Sequence, residues 1–212
     1  MLRETTAILE RTVNGGMHRQ KAYRRIKSML DDHGFTSPRL YHFVLMDNHT
    51  EGEPNAKRFL RGLKALCREL HDQGLRYRWR AALELDDEKG LHLHTFMLIE
   101  NEKANPCSII TPIRNTTGKR PEYKDGSVGK PWRTIGDIMA AQMLSFYIAK
   151  PRDKIHETAA GKRLNYATLG NPARKADCLV WMSYMAKARS KPDHIRGIYF
   201  SSRDSRKAEV VH

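Results

Sequence analysis

The chain has 212 residues, 40% of them hydrophobic and 29% charged, which is enough for one substantial core. Its 38 Lys and Arg against 24 Asp and Glu give a formal charge of +14, a balance that suits a polyanionic partner such as nucleic acid. No apolar run approaches the roughly 20 residues that cross a bilayer, and no long basic amphipathic helix favours a membrane surface.

Along the chain, residues 1–37 read as a helical N-terminal arm. Its opening MLRETTAILERTV carries Glu4 and Glu10 and no apolar leader, so secretion is not expected. Tyr23, Ile26, Met29 and Leu30 recur on one side of its second, basic segment. Residues 38–203 are expected to form the main domain. Leu40–Met46, LYHFVLM, is a short apolar run fitting a central strand. Pro54 opens a helix whose packed stripe is Phe59, Leu63, Leu66, Cys67 and Leu70, and Gly74 stops it. The three cysteines, Cys67, Cys107 and Cys178, are widely separated. They argue against a disulfide framework and a thiolate zinc module and suggest a reducing compartment, so a cytoplasmic setting is expected.

Two strands follow, Trp79–Leu85 and Leu91–Ile99, with Asp86 to Gly90 as the turn. The order β-α-β-β predicts an α+β fold with a central antiparallel sheet of ferredoxin-like or palm type and flanking helices. No glycine fingerprint or GK[ST] motif is present, which removes the usual nucleotide-binding readings. Residues 101–136, punctuated by Pro106, Pro112, Pro121 and Pro131, read as an irregular insert, in which Trp132 is a candidate for stacking on bases. Ile138–Lys150 is expected to be helical, with Met139, Met143, Phe146 and Tyr147 along its packed side. A further helix is expected from Ala173 to Ala188, then a strand at Gly197–Ser201 and a flexible tail, 204–212.

Chemistry concentrates first in the hairpin. Side chains alternate faces with period two, so His92 and His94 point the same way. A turn centred near Glu88 sets Glu84 across from His92 and Ala82 across from His94. Cross-strand neighbours on one face stand about 4.5–5.5 Å apart. Two imidazoles and a carboxylate then converge on one divalent ion, with the small Ala82 leaving room. A slip of one residue would send Glu84 to the other face.

The second concentration is Tyr184-Met-Ala-Lys187, whose phenol and ammonium share a helix face. With a pKa near 10, only about one phenol in a thousand is ionised at neutral pH, a deficit of roughly 4 kcal/mol for a nucleophile. Lys187, with Lys191 one turn further, favours the anion. Tyr147 with Lys150 repeats the pair, so spacing alone does not choose between the two tyrosines.

LYHFVLM, the triplet His92-Leu-His94 and SYMAKARSK, 183–191, resemble the three motifs of the HUH endonucleases in their rolling-circle replication initiator branch. YMAKARSK followed by IRGIYFSSR is similar to the C-terminal signature of filamentous-phage initiators and their prophage relatives. The resemblance covers about residues 38–203 and implies the HUH fold, with a tyrosine helix laid across a sheet that carries the histidines. It implies Mg²⁺ or Mn²⁺ held by His92, His94 and Glu84, a nucleophile at Tyr184, and Lys187 beside it. Related proteins draw the third, acidic ligand from varying positions.

The implied activity is nicking of single-stranded or hairpin DNA at an origin through a covalent 5′-phosphotyrosine. A host helicase and polymerase would be further partners. Lys191, Arg189, Arg203, Lys150 and Trp132 are the expected DNA contacts. Met185 stands where leucine is usual, and Tyr147 leaves open whether one tyrosine or two take part. A single-tyrosine transposase and a non-cutting regulator of the same fold are the alternatives.

Overall fold

The computed structural model describes residues 17–31, 34–47, 56–72, 74–100, 134–149, 165–170, 172–183, 185 and 199–202, with backbone only for 17–23. Its centre is strand β1, Pro38–Asp47, whose residues from Leu40 to Leu45 are buried without a break. Such a run fits a strand covered on both faces. β1 pairs antiparallel with β3, Gly90–Glu100, on one side, and with β4, Leu144–Ile148, on the other. β2, Tyr77–Asp86, lies beyond β3, and β6, Tyr199–Ser201, beyond β2. The resulting order is β4-β1-β3-β2-β6, with the short β5, Ala167–Thr168, set against the start of β1. β1 and β2 both run antiparallel to β3, so they are parallel to each other and β3 splits them. This is a mixed α+β fold built on a central antiparallel sheet with flanking helices.

Helix α1 is Met17–Leu30, α2 is Ala56–Asp72, α3 is Ile135–Ala140 and α4 is Pro172–Ser183. In α2, Phe59, Leu63, Leu66 and Leu70 fall at helical spacing and are all fully buried. The helix stops where the sequence indicates. Gly74 takes φ +68°, its N–H donates to the His71 carbonyl, and the Leu75 N–H donates to the Leu70 carbonyl. That pair of bonds is a Schellman cap, which a glycine adopts without a Cβ clash. Gly62 lets α2 approach closely: a Cβ there would lie 2.8 Å from Leu144 Cδ1 and 3.1 Å from Met139 Sδ.

One expectation is overturned. Ile138–Lys150 is not a continuous helix. α3 begins at a capping box, in which Thr134 Oγ1 accepts from the Asp137 N–H while Asp137 Oδ2 accepts from the Thr134 N–H. It ends at Ala140, and the chain turns through Met143 at φ +57° into strand β4. The Met139, Met143, Phe146 spacing is compatible with a helix, but Leu144–Ile148 instead satisfies the edge of β1 with a five-residue ladder. Long-range pairing wins over a local period here. The helical pairing of Tyr147 with Lys150 loses its basis, and Lys150 itself lies outside the described residues.

Register divides the side chains between two faces. The first carries Tyr41, Phe43 and Leu45 of β1, Leu93 and Met97 of β3, and Leu83 of β2, packed under α2 and α3. The second carries Leu40, Phe96, Leu98 and Ala82 beneath Ile26, Met29 and Leu30 of α1 and Cys178 and Met182 of α4, with Met185 just beyond. A 2.7 Å ion pair between Lys175 and Asp31 ties α4 to the end of α1. At the far end of β3, the Glu100 carboxylate accepts from the Thr36 and Ser37 N–H groups at 3.0 Å each, fixing the chain's entry into β1.

Candidate metal centre

The second face changes character along its strands. Where Leu40 pairs with Leu98 it is apolar; one step on, His42 pairs with Phe96; then Val44 with His94, and finally Met46 with His92. β2 contributes Ala82 opposite His94 and Glu84 opposite His92, the register expected from the sequence. Asp86 pairs with Gly90, so the turn holds Asp87, Glu88 and Lys89. Asp86 Oδ1 accepts from the Lys89 N–H at 2.6 Å, and Gly90 takes φ +62°. A left-handed glycine closing a three-residue turn is what pins such a register.

Glu84, His92 and His94 each offer a ligand atom, and these atoms all lie within 4.8 Å of one another. All three residues are buried, at 2%, 1% and 5% exposure. His94 Nε2 faces Glu84 Oε2 at 3.5 Å. A ring nitrogen of His92, Nδ1, lies 2.9 Å from the Gly90 carbonyl oxygen. A carbonyl can only accept, so Nδ1 carries the proton in a neutral His92 and Nε2 keeps its lone pair. That lone pair faces Asp86 Oδ2 at 3.7 Å. Two imidazoles and a carboxylate gathered in a buried pocket fit a cation placed among them, and the 3.5 Å between His94 Nε2 and Glu84 Oε2 is the separation of two donors sharing one ion at about 2.0–2.2 Å. The cluster is therefore capable of holding a divalent metal.

Two side chains at this site escape sequence reasoning. Asp86 is one, since it reads there only as a turn residue. The other is His42, buried on β1, whose Nε2 lies 2.9 Å from His94 Nδ1. The His42 ring stacks on Phe96 with centroids 4.1 Å apart and an interplanar angle of 11°, and meets the edge of Trp181 from α4 at 5.4 Å. Burial pushes the His42 imidazole down to about 3, so it is neutral at physiological pH. The only available signal was the β1–β3 register, which turns a histidine in LYHFVLM toward His-x-His.

Tyr147 pairs with Val44, and Val44 with His94, so the phenol projects from the same face as the ligands, separated from His94 by one strand. It is 38% exposed. α4 crosses this face and ends at Ser183, with Met182 and Met185 buried in its core. Tyr184, Lys187, Arg189, Lys191, Arg203 and Trp132 lie outside the described residues. Ser202 anchors the last strand: its hydroxyl accepts from the Trp79 N–H at 3.1 Å, and its own N–H donates to the Trp79 carbonyl. No helix among the described residues is long and apolar enough to cross a membrane. Comparison with family models, curated proteins and solved structures finds no match to this chain.

Proposed function

We propose that this chain is a metal-dependent DNA strand transferase that nicks single-stranded or hairpin DNA through a tyrosine and so initiates rolling-circle replication. The observation that carries the reading is the buried Glu84, His92 and His94 cluster on the sheet face crossed by α4, the helix that leads in sequence to Tyr184. The strand order β4-β1-β3-β2, with β1–α2–β2 split around β3, supports the ferredoxin-like or palm arrangement and with it the HUH resemblance. The charge of +14 supports a polyanionic substrate.

Glu84, His92 and His94 would hold the ion, and two imidazoles with one carboxylate suit Mn²⁺ better than the oxygen-seeking Mg²⁺. Bound there, it would polarise the scissile phosphate and stabilise charge on its oxygens. Tyr184 is the proposed nucleophile. Its phenolate oxygen attacks phosphorus, the bond from phosphorus to the 3′ oxygen breaks, and that oxygen takes up a proton to become a 3′-OH. The downstream strand stays esterified to the tyrosine through its 5′-phosphate. Lys187 favours the phenolate, Lys191, Arg189, Arg203 and Lys150 hold the phosphate backbone, and Trp132 stacks on a base. The freed 3′-OH would serve a host polymerase, with a host helicase opening the duplex ahead of it. Tyr147 is the second candidate nucleophile, because its phenol already shares a face with the ligands.

A 5′- or 3′-labelled hairpin oligonucleotide incubated with protein and Mn²⁺ tests this. The expected result is a covalent adduct on the 5′-phosphate side, lost in Tyr184→Phe and kept in Tyr147→Phe. The reverse pattern moves the nucleophile to Tyr147. DNA retention with no adduct across a series of metals and sequences would replace nicking with a regulatory role. Efficient joining of two element ends would mark a transposase.

A further inference from the structure

The ion-binding reading leaves one buried imidazole unassigned. His42 touches the bottom of His94 from the neighbouring strand, Nε2 to Nδ1 at 2.9 Å, while His94 Nε2 faces Glu84 across the pocket. A neutral imidazole carries a single N–H. For His94 to give an ion its Nε2 lone pair, its proton must sit on Nδ1, which lies 2.9 Å from His42 Nε2. His42 must then accept, which places its own proton on Nδ1.

The opposite arrangement is equally hydrogen-bonded. His42 Nε2–H donates to His94 Nδ1, and His94 Nε2–H points at the Glu84 carboxylate. That arrangement blocks the ligand atom. The two rings therefore change tautomer together, and the state with an ion is the one in which His42 accepts.

From this geometry we infer that His42 is the positioning residue for His94: it orients the ring and holds the proton on Nδ1, so that Nε2 is free for the metal. The inference rests on the Glu84, His92 and His94 reading. Metal-binding histidines commonly donate their second ring N–H to a fixed acceptor, and loss of such a partner weakens binding by about 10–100-fold. Here the acceptor is another imidazole, itself clamped between the face of Phe96 and the edge of Trp181. Nδ1 of His42 has no hydrogen-bond partner among the described residues, so the ion-bound state leaves an N–H without an acceptor there. Trp181 belongs to α4, so the same ring joins the metal ligands to the helix that precedes Tyr184.

The test is Mn²⁺ affinity by titration calorimetry on the full chain, for wild type, His42→Phe, His42→Gln and His92→Ala. His42→Phe keeps the stack on Phe96 and removes the acceptor, so Kd is expected to rise by about 10–100-fold with the circular dichroism spectrum unchanged. His42→Gln restores an acceptor at that position and is expected to recover most of the loss. An unchanged Kd in a folded His42→Phe variant overturns the inference, as does a glutamine variant no better than phenylalanine.

Should the phenylalanine variant fail to fold, ¹⁵N shifts of the histidine rings in wild-type protein loaded with diamagnetic Zn²⁺ decide. A proton on His94 Nδ1 supports the inference, and one on His94 Nε2 sinks it. Wild type that binds no Mn²⁺, or His92→Ala that binds as well as wild type, instead removes the metal reading and takes this inference with it.

Discussion

Replacing Glu84 by glutamine separates a metal ligand from an ordinary structural acid. Glu84 is 2% exposed, and its Oε2 stands 3.5 Å from His94 Nε2. Burying a carboxylate costs several kcal/mol, which an ion would offset and which a neutral isostere of equal volume removes. Ion-free Glu84→Gln protein is therefore expected to melt at or slightly above the wild-type temperature. With Mn²⁺ at about 100 times the wild-type Kd, binding adds about 2.7 kcal/mol to the wild type. For a domain of this length that raises Tm by about 5–10 °C. If loss of the anionic ligand weakens the site a hundredfold, the same concentration adds only about 0.4 kcal/mol, or about 1 °C. Thermal melts followed by circular dichroism, with Mn²⁺ and with EDTA, measure all four values. The reasoning is refuted if the variant loses about 2 kcal/mol or more without metal and yet keeps the full Mn²⁺ shift.

Further expectations concern the scaffold. Gly62→Val places side-chain carbon against Leu144 and Met139 and is expected to cost about 1–3 kcal/mol in urea unfolding. Its effect should stop there, since α2 covers the opposite face of the sheet and the Mn²⁺ Kd should hold. Gly90→Ala forces a Cβ into a φ of +62°, at a cost of about 1–2 kcal/mol, and loosens the turn that sets the ligand register, so Mn²⁺ affinity should fall along with Tm. The His42 imidazole titrates at about 3 in the folded protein against 6.5 in the unfolded chain. Between those values the unfolded state binds the extra proton, so its contribution to stability is complete above pH 6.5 and declines as pH falls toward 3. Urea unfolding of ion-free protein between pH 7 and pH 4 should show a slope of up to about 1.4 kcal/mol per pH unit from this group, absent in His42→Gln.

What could be read in the sequence was what depends on short-range periodicity. The hairpin declares itself through alternation and a Gly-terminated turn: alternation sets His92 and His94 on one face, and the turn register brings Glu84 to them. α2 is equally plain, with its stripe and its glycine cap in one short stretch. β4 was hidden because Met139, Met143 and Phe146 fit a helical period, and only the open edge of β1, about a hundred residues earlier, decides for a strand. His42 was hidden for the same reason. Nothing local in LYHFVLM marks its histidine, and its role exists only once β1 lies against β3. Tyr147 does not form the helical pairing that its spacing from Lys150 suggests, yet the strand it occupies turns its phenol to the ligand face.

All three metal-ligand candidates come from one hairpin, within residues 84–94. Closing so short a loop costs little chain entropy, so the ligands can come together without waiting for distant parts of the chain to dock. The helix that precedes Tyr184 in sequence reaches the same face through Trp181, whose ring lies against His42. The cradle is thus a local property of the hairpin, whereas the aromatic cover over His42 depends on α4 docking from a distant part of the chain, so loosening α4 should disturb the cover before the ligand set.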